Sequence, residues 1–159
     1  MKALVIYFSL TGRTKMVAEI LAAELNNYEV DIEAIAYKGE KKFKFKAEQE
    51  KVSGGDLSNF AYNERIFNLS PYDLICIGVP TWGGRPAFIF NAYIEKCNTL
   101  EGKAVLVFNT CRIFSGSTIK TMKTEIEKKG GKVINQKTFK ALFSMGEKKA
   151  RAFGKVLNQ

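Results

Sequence analysis

Ser9, Thr11 and Thr14 bring three hydroxyls to the turn SLTGRT, beside Gly12 and Arg13. Hydroxyl donors, backbone amides at a helix start and one guanidinium suit the same ligand, an oxyanion such as phosphate. Gly12 permits the tight backbone geometry such a turn needs. A Walker loop would require Gly-Lys-Ser/Thr and a dinucleotide fingerprint three glycines, and neither is present. Spacing alone therefore leaves two readings open, a phosphate cradle and an ordinary capped strand-to-helix turn. A second stretch, Pro80 to Pro86, reads PTWGGRP and holds the only Trp of the chain. Trp82, between Thr81 and the pair Gly83 and Gly84, offers an aromatic plane in a loop where periodicity requires no core residue. A third stretch, Asn109 to Ser117, adds Thr110, Cys111, Arg112 and Phe114. Arg112 beside Cys111 would favour a thiolate, but a backbone-contact residue that happens to be Cys is the preferred reading. A phosphatase loop would need Arg six positions after the Cys, where Ser117 stands, so that chemistry is excluded. Without a single His the chain has no imidazole base or ligand, and Cys76, Cys97 and Cys111 lack CxxC spacing. No metal site and no bond-making side chain is nominated.

Alternating strands and helices must position these loops. Ala3 to Phe8 is a continuous apolar run, read as a buried strand that delivers the first loop. Thr14 to Asn26 follows as a helix with Val17, Ile20, Leu21 and Leu25 on one face. Val30, Ile32 and Ile35 alternate with Asp31 and Glu33, the pattern of a half-polar edge strand. Between Lys38 and Tyr72 a helix and then an extended lead-in are expected. The interleave Lys42-Phe43-Lys44-Phe45-Lys46 is of a kind that touches nucleic acids or membrane surfaces, but it is short. A helix that lays Phe43 on the sheet with its lysines in water is the preferred reading. Asp73 to Val79 reads as a central strand, Pro86 as the first position of a helix carrying Phe88, Ile89, Ala92, Tyr93 and Ile94, and Lys103 to Phe108 as another core strand. Ile119, Met122 and Ile126 share a helix face that Gly130-Gly131 ends. A fifth strand near Val133 to Ala141 and a helix marked by Ala150, Phe153 and Leu157 complete the chain.

Composition limits the class. The chain has 159 residues, of which 46% are apolar, enough for one well-packed domain spanning 1–159. No run reaches the roughly 18 apolar residues of a membrane helix, and three cysteines suit a reducing, cytoplasmic setting. The formal charge is +9, and Lys120 to Gln159 carries eleven Lys/Arg against three Glu, a net +8. A solvated, lysine-rich face able to steer acidic partners is the reading adopted, with nucleic-acid binding set aside.

The order of elements implies an α/β fold, a doubly wound five-stranded parallel sheet. Ser9-x-Thr11-Gly12-x-Thr14 after a first strand resembles the FMN-phosphate loop of flavodoxins, and the resemblance extends over nearly the whole chain. It implies the flavodoxin-like strand order 2-1-3-4-5, with ligand loops at the carboxyl ends of strands one, three and four. By that likeness Ser9, Thr11, Gly12, Arg13 and Thr14 would hold the phosphate of FMN. Pro80, Thr81, Trp82, Gly83 and Gly84 would line the flavin ring, Trp82 either stacking on it or capping the sheet end, and a glycine peptide could turn as the ring takes up a proton. Thr110, Cys111 and Arg112 would contact the pyrimidine edge. The third loop departs from the family pattern in lacking Tyr. Either Phe114 substitutes, or that face stays open to a second substrate. The resemblance implies an electron carrier between redox partner proteins with acidic docking surfaces, monomeric or homodimeric. The alternative is an FMN-dependent NAD(P)H:quinone or flavin reductase.

Overall fold

A computed structural model describes residues 1–39, 42–140 and 146–156. In chain order the elements are β1 (Lys2–Phe8), α1 (Arg13–Glu24), β2 (Glu29–Tyr37), α2 (Phe45–Ser53), β3 (Phe60–Ala61), a 3-10 turn at Glu64–Phe67, β4 (Leu74–Trp82), β5 (Arg85–Pro86), α3 (Ile89–Lys96), β6 (Ala104–Cys111), α4 (Thr118–Lys128), β7 (Lys132–Lys140) and α5 (Gly146–Lys155). Five long strands lie parallel in the order β2-β1-β4-β6-β7. That is the expected 2-1-3-4-5 order. Two short antiparallel additions were not anticipated: β3 covers the end of β2, and β5 folds back on β4.

Period-two alternation divides the strands between two cores. Leu4, Ile6 and Phe8 of β1 face Ile89, Phe90 and Tyr93 of α3 and Met122 and Ile126 of α4. Ala3 and Val5 face Val17 and Leu21 of α1 and Phe153 of α5. With helices on both faces, β1, β4 and β6 are buried throughout and need no polar alternation, which is why they read as continuous apolar runs.

Three expectations change. Pro86 does not open a helix. It pairs with Thr81, and the following amide of Ala87 donates to the Pro80 carbonyl at 2.9 Å. Phe43 lies ahead of α2, so it reaches the core from the lead-in rather than from a helix. The first helix ends at Glu24, not Asn26, with Leu25 as its cap. Ala141 and Leu157 lie outside the described residues, as do Glu40 and Lys41 in the mixed-charge stretch.

Candidate functional site

Because β1, β4 and β6 are adjacent and parallel, the loops leaving their carboxyl ends emerge side by side. They enclose a cleft of about 200 Å³ lined by Ser9, Leu10, Thr11, Arg13, Thr14, Pro80, Thr81, Trp82, Thr110, Cys111 and Arg112. Ten of the fourteen residues nominated from sequence are among these. Gly12, Gly83, Gly84 and Phe114 are not.

The first loop turns through Gly12 at φ 90, a left-handed conformation that favours glycine. Its amide donates to Ser9 Oγ at 3.0 Å, which fixes the hydroxyl at the lip of the cleft. The first intrahelical bond of α1 runs from Met16 N to the Gly12 carbonyl, at 3.0 Å. The amides of Arg13, Thr14 and Lys15 consequently have no intrahelical acceptor. No acidic residue occupies the first turn to offset the helix dipole. Arg13 is exposed beside these amides. Amides, dipole and guanidinium therefore suit a phosphate-sized anion.

Thr14 does a different job from the one its spacing suggested. It is buried, and its Oγ1 shares a hydrogen bond of 2.8 Å with Thr110 Oγ1 across 96 residues of sequence. The pair ties the first loop to the third beneath the cleft floor. A second chain of polar groups was missed altogether. Thr138 donates to Asn109 Oδ1 at 2.7 Å, Asn109 donates to Thr81 Oγ1 at 2.7 Å, and Thr81 shares a 2.9 Å bond with Thr118. Asn109 and Thr118 are 0% exposed. Each bond contributes about 1 kcal/mol net, and losing one partner costs more because the other stays buried. The sequence signal was available: Asn109 directly follows the apolar run Ala104 to Phe108, where an amide requires partners.

Trp82, Gly83, Gly84 and Arg85 form a two-residue hairpin in which both glycines have positive φ, 58 and 75, as a type I′ turn requires. The Gly84 carbonyl accepts from Ser117 N at 2.8 Å and Ser117 Oγ at 3.3 Å. A side chain on Gly116 would overlap the Gly84 backbone, so the second and third loops meet main chain against main chain. These bonds hold the Gly84 carbonyl, and with it the Gly84–Arg85 peptide, in place. Trp82 itself is half-buried, its ring surrounded on the core side by phenylalanines.

In the third loop, Cys111 ends β6 and is buried, and that burial pushes its thiol up from its ordinary range, with Lys140 on the neighbouring strand opposing. Burial thus outweighs the nearby Lys140, in the direction opposite to the one Arg112 would favour. Phe114 does not line the cleft and is 74% exposed, its ring edge beside Gly84 of the hairpin. The side of the cleft that this loop borders is left without an aromatic cover among the described residues.

Known proteins agree with this architecture. A family model described as Flavodoxin matches residues 2–150. A flavodoxin of Maridesulfovibrio salexigens is 28% identical over 142 residues, covering 84% of this chain and 81% of its own. Among solved structures, oxidised flavodoxin 2 of Bacillus cereus superposes with a TM-score of 0.67 at 20% identity, covering 99% of this chain and 98% of that one. A flavoprotein of Lactobacillus acidophilus solved in complex with FMN gives 0.61 at 21% identity, covering 86% and 92%. With a five-stranded sheet in the 2-1-3-4-5 order, three loops meeting at its carboxyl end and a family match over almost its full length, this chain belongs to the flavodoxin family.

Proposed function

We propose that this chain binds FMN non-covalently and shuttles low-potential electrons between redox partner proteins. One observation carries the reading: an anion-suited helix start and the only Trp border the same cleft, joined by the hydroxyls of Thr81 and Thr110. Ser9, Thr11, Arg13 and the free amides of α1 would hold the phosphate. Trp82 would stack against the ring, and Thr110, Cys111 and Arg112 would meet its pyrimidine edge. When bound, FMN supplies the redox chemistry, one or two electrons at a time.

The chain's residues orient the ring, exclude water from one face and supply positive charge beside it. Arg112 lines the cleft and Arg85 is exposed at the hairpin next to it. Neither makes an ion pair among the described residues. Their charge favours the anionic, fully reduced cofactor and a partner with an acidic docking surface. All three cysteines are free and buried, in keeping with a cytoplasmic setting.

A second reading, an FMN-dependent NAD(P)H:quinone or flavin reductase, is favoured by the exposed position of Phe114, which leaves a face open for a second planar molecule. Absorption spectra with and without added FMN, followed by anaerobic stepwise reduction, separate the readings. Flavin bands with two resolved one-electron steps support the carrier. A single two-electron bleaching with steady NAD(P)H oxidation supports the reductase. Failure to retain FMN overturns both.

A further inference from the structure

Trp82 touches four phenylalanine rings, and two of them come from a segment remote from the three ligand loops. Phe8 of β1 meets it edge-on at 5.4 Å and Phe88 at 5.2 Å. Phe43 and Phe45, in the lead-in to and first residue of α2, approach it at 5.4 and 5.3 Å. We propose that the strap Lys42–Lys46 backs the flavin site from behind Trp82, with Phe43 and Phe45 as positioning residues that set the plane of Trp82. This rests on the FMN reading above and adds to it which residues make the Trp82 platform rigid.

The hairpin by itself cannot fix that plane. Gly83 and Gly84 follow Trp82 immediately and carry no side chains to pack against it. Phe8 and Phe88 support the ring from within the fold, but support from one side leaves an indole free to swing outward. The strap closes that direction. Phe43 is itself clamped, by Tyr37 at 4.9 Å and by a stacked contact with Phe88 at 6.3 Å and 7°. Phe45 remains 45% exposed at the start of a helix, and its described ring contacts are Trp82 and Phe88. Lys42, Lys44 and Lys46 alternate with these rings and are exposed, which keeps the strap in water. The following turn is anchored by Glu48, buried and accepting from Tyr37 Oη at 3.3 Å and from Asn59 Nδ2 at 3.0 Å. The rings of this basic and aromatic interleave pack on Trp82.

Trp82 is the only Trp, so fluorescence excited at wavelengths beyond tyrosine absorption reports on this residue alone. Phe45→Ala is the primary variant, because a half-exposed ring can be removed without emptying the core. Phe43→Leu, which keeps apolar volume, is the second. Expected in the apoprotein are a red-shifted emission and stronger acrylamide quenching. FMN and riboflavin should both bind more weakly by roughly two- to tenfold, the scale of one aromatic pair. The loss should be equal for the two ligands, since the phosphate loop is untouched, and the flavin reduction potential should shift. Phe67→Ala, at a ring packed on Tyr62 and Tyr93 away from the cleft, should lose stability while emission and affinity stay at wild-type values. If wild-type protein binds FMN and the strap variants match it in emission, affinity and potential, the strap has no positioning role and the FMN reading stands. If wild-type protein binds neither flavin, the FMN reading falls and the proposal falls with it.

Discussion

Single hydroxyls and charges at the cleft have separable roles. Thr14→Val keeps shape but removes the bond to Thr110, leaving a buried hydroxyl unpaired. A loss of about 1–2 kcal/mol is expected in urea denaturation, and Thr14→Ser should recover most of it. Arg112 is different, since it lines the cleft and has no ion-pair partner among the described residues, so its expected effect is through charge. Arg112→Gln should leave the unfolding midpoint nearly unchanged while making the potential of the FMN-loaded protein more negative by roughly 30–60 mV, read by redox titration. Thr14 and Thr110 were both nominated from sequence, but the bond between them was not legible. A hydroxyl near a glycine reads the same whether it faces a ligand or another hydroxyl 96 positions away.

Elements meet through main chain as well as side chains. The third loop is pinned to the hairpin because Gly116, at φ 53, lets its backbone lie on that of Gly84. Gly116→Ala combines strain at positive φ with overlap, and should cost about 1–3 kcal/mol and weaken FMN binding, both measurable by thermal shift with and without ligand. At the opposite edge of the sheet, β2 is tied down by ions. Asp31 accepts from Tyr72 Oη at 2.7 Å and pairs with Lys2 at 3.1 Å, while Arg65 reaches Glu33. The Tyr72 hydrogen bond is the main cause of a lowered Asp31 carboxyl, with Lys2 and Arg65 adding to it. Its contribution is present above the ordinary Asp range and lost as pH falls through the lowered value. Burial, and then the Asp31 bond, push Tyr72 up to about 12. That contribution is present below the ordinary Tyr value near 10 and lost as pH rises toward 12. Asp31→Asn should flatten the acid limb of stability against pH, and Tyr72→Phe the alkaline limb. The alternation of apolar and acidic residues revealed β2 as a strand, yet gave no hint that its acids are partnered.

At the scale of the whole molecule, the net charge is +9, of which Lys120 to Gln159 carries +8, and the polar groups beneath the cleft are neutral. Asn109, Thr81, Thr118 and Thr138 hold the carboxyl ends of the strands together without ions, so charge is left to the rim, where Arg13, Arg85 and Arg112 stand. That division suits a cofactor bound by shape and hydrogen bonds and a partner attracted by field.

The sequence by itself determined the strand-helix alternation and the parallel sheet, while the 2-1-3-4-5 order and the three loops that meet were implied by its resemblance to flavodoxins. Burial on both faces writes a parallel strand as an apolar run, and right-handed crossovers narrow the topology without choosing among doubly wound orders. The tertiary structure alone decided what stands behind each ligand-facing residue: Thr110 beneath Thr14, Ser117 on the Gly84 carbonyl, and the strap phenylalanines around Trp82. Those partners come from distant segments, and a contact across such a separation leaves no periodic mark in either stretch. Pro86 shows the same limit, because a proline suits both a helix start and a short edge strand, and only the neighbouring Pro80 carbonyl selected between them.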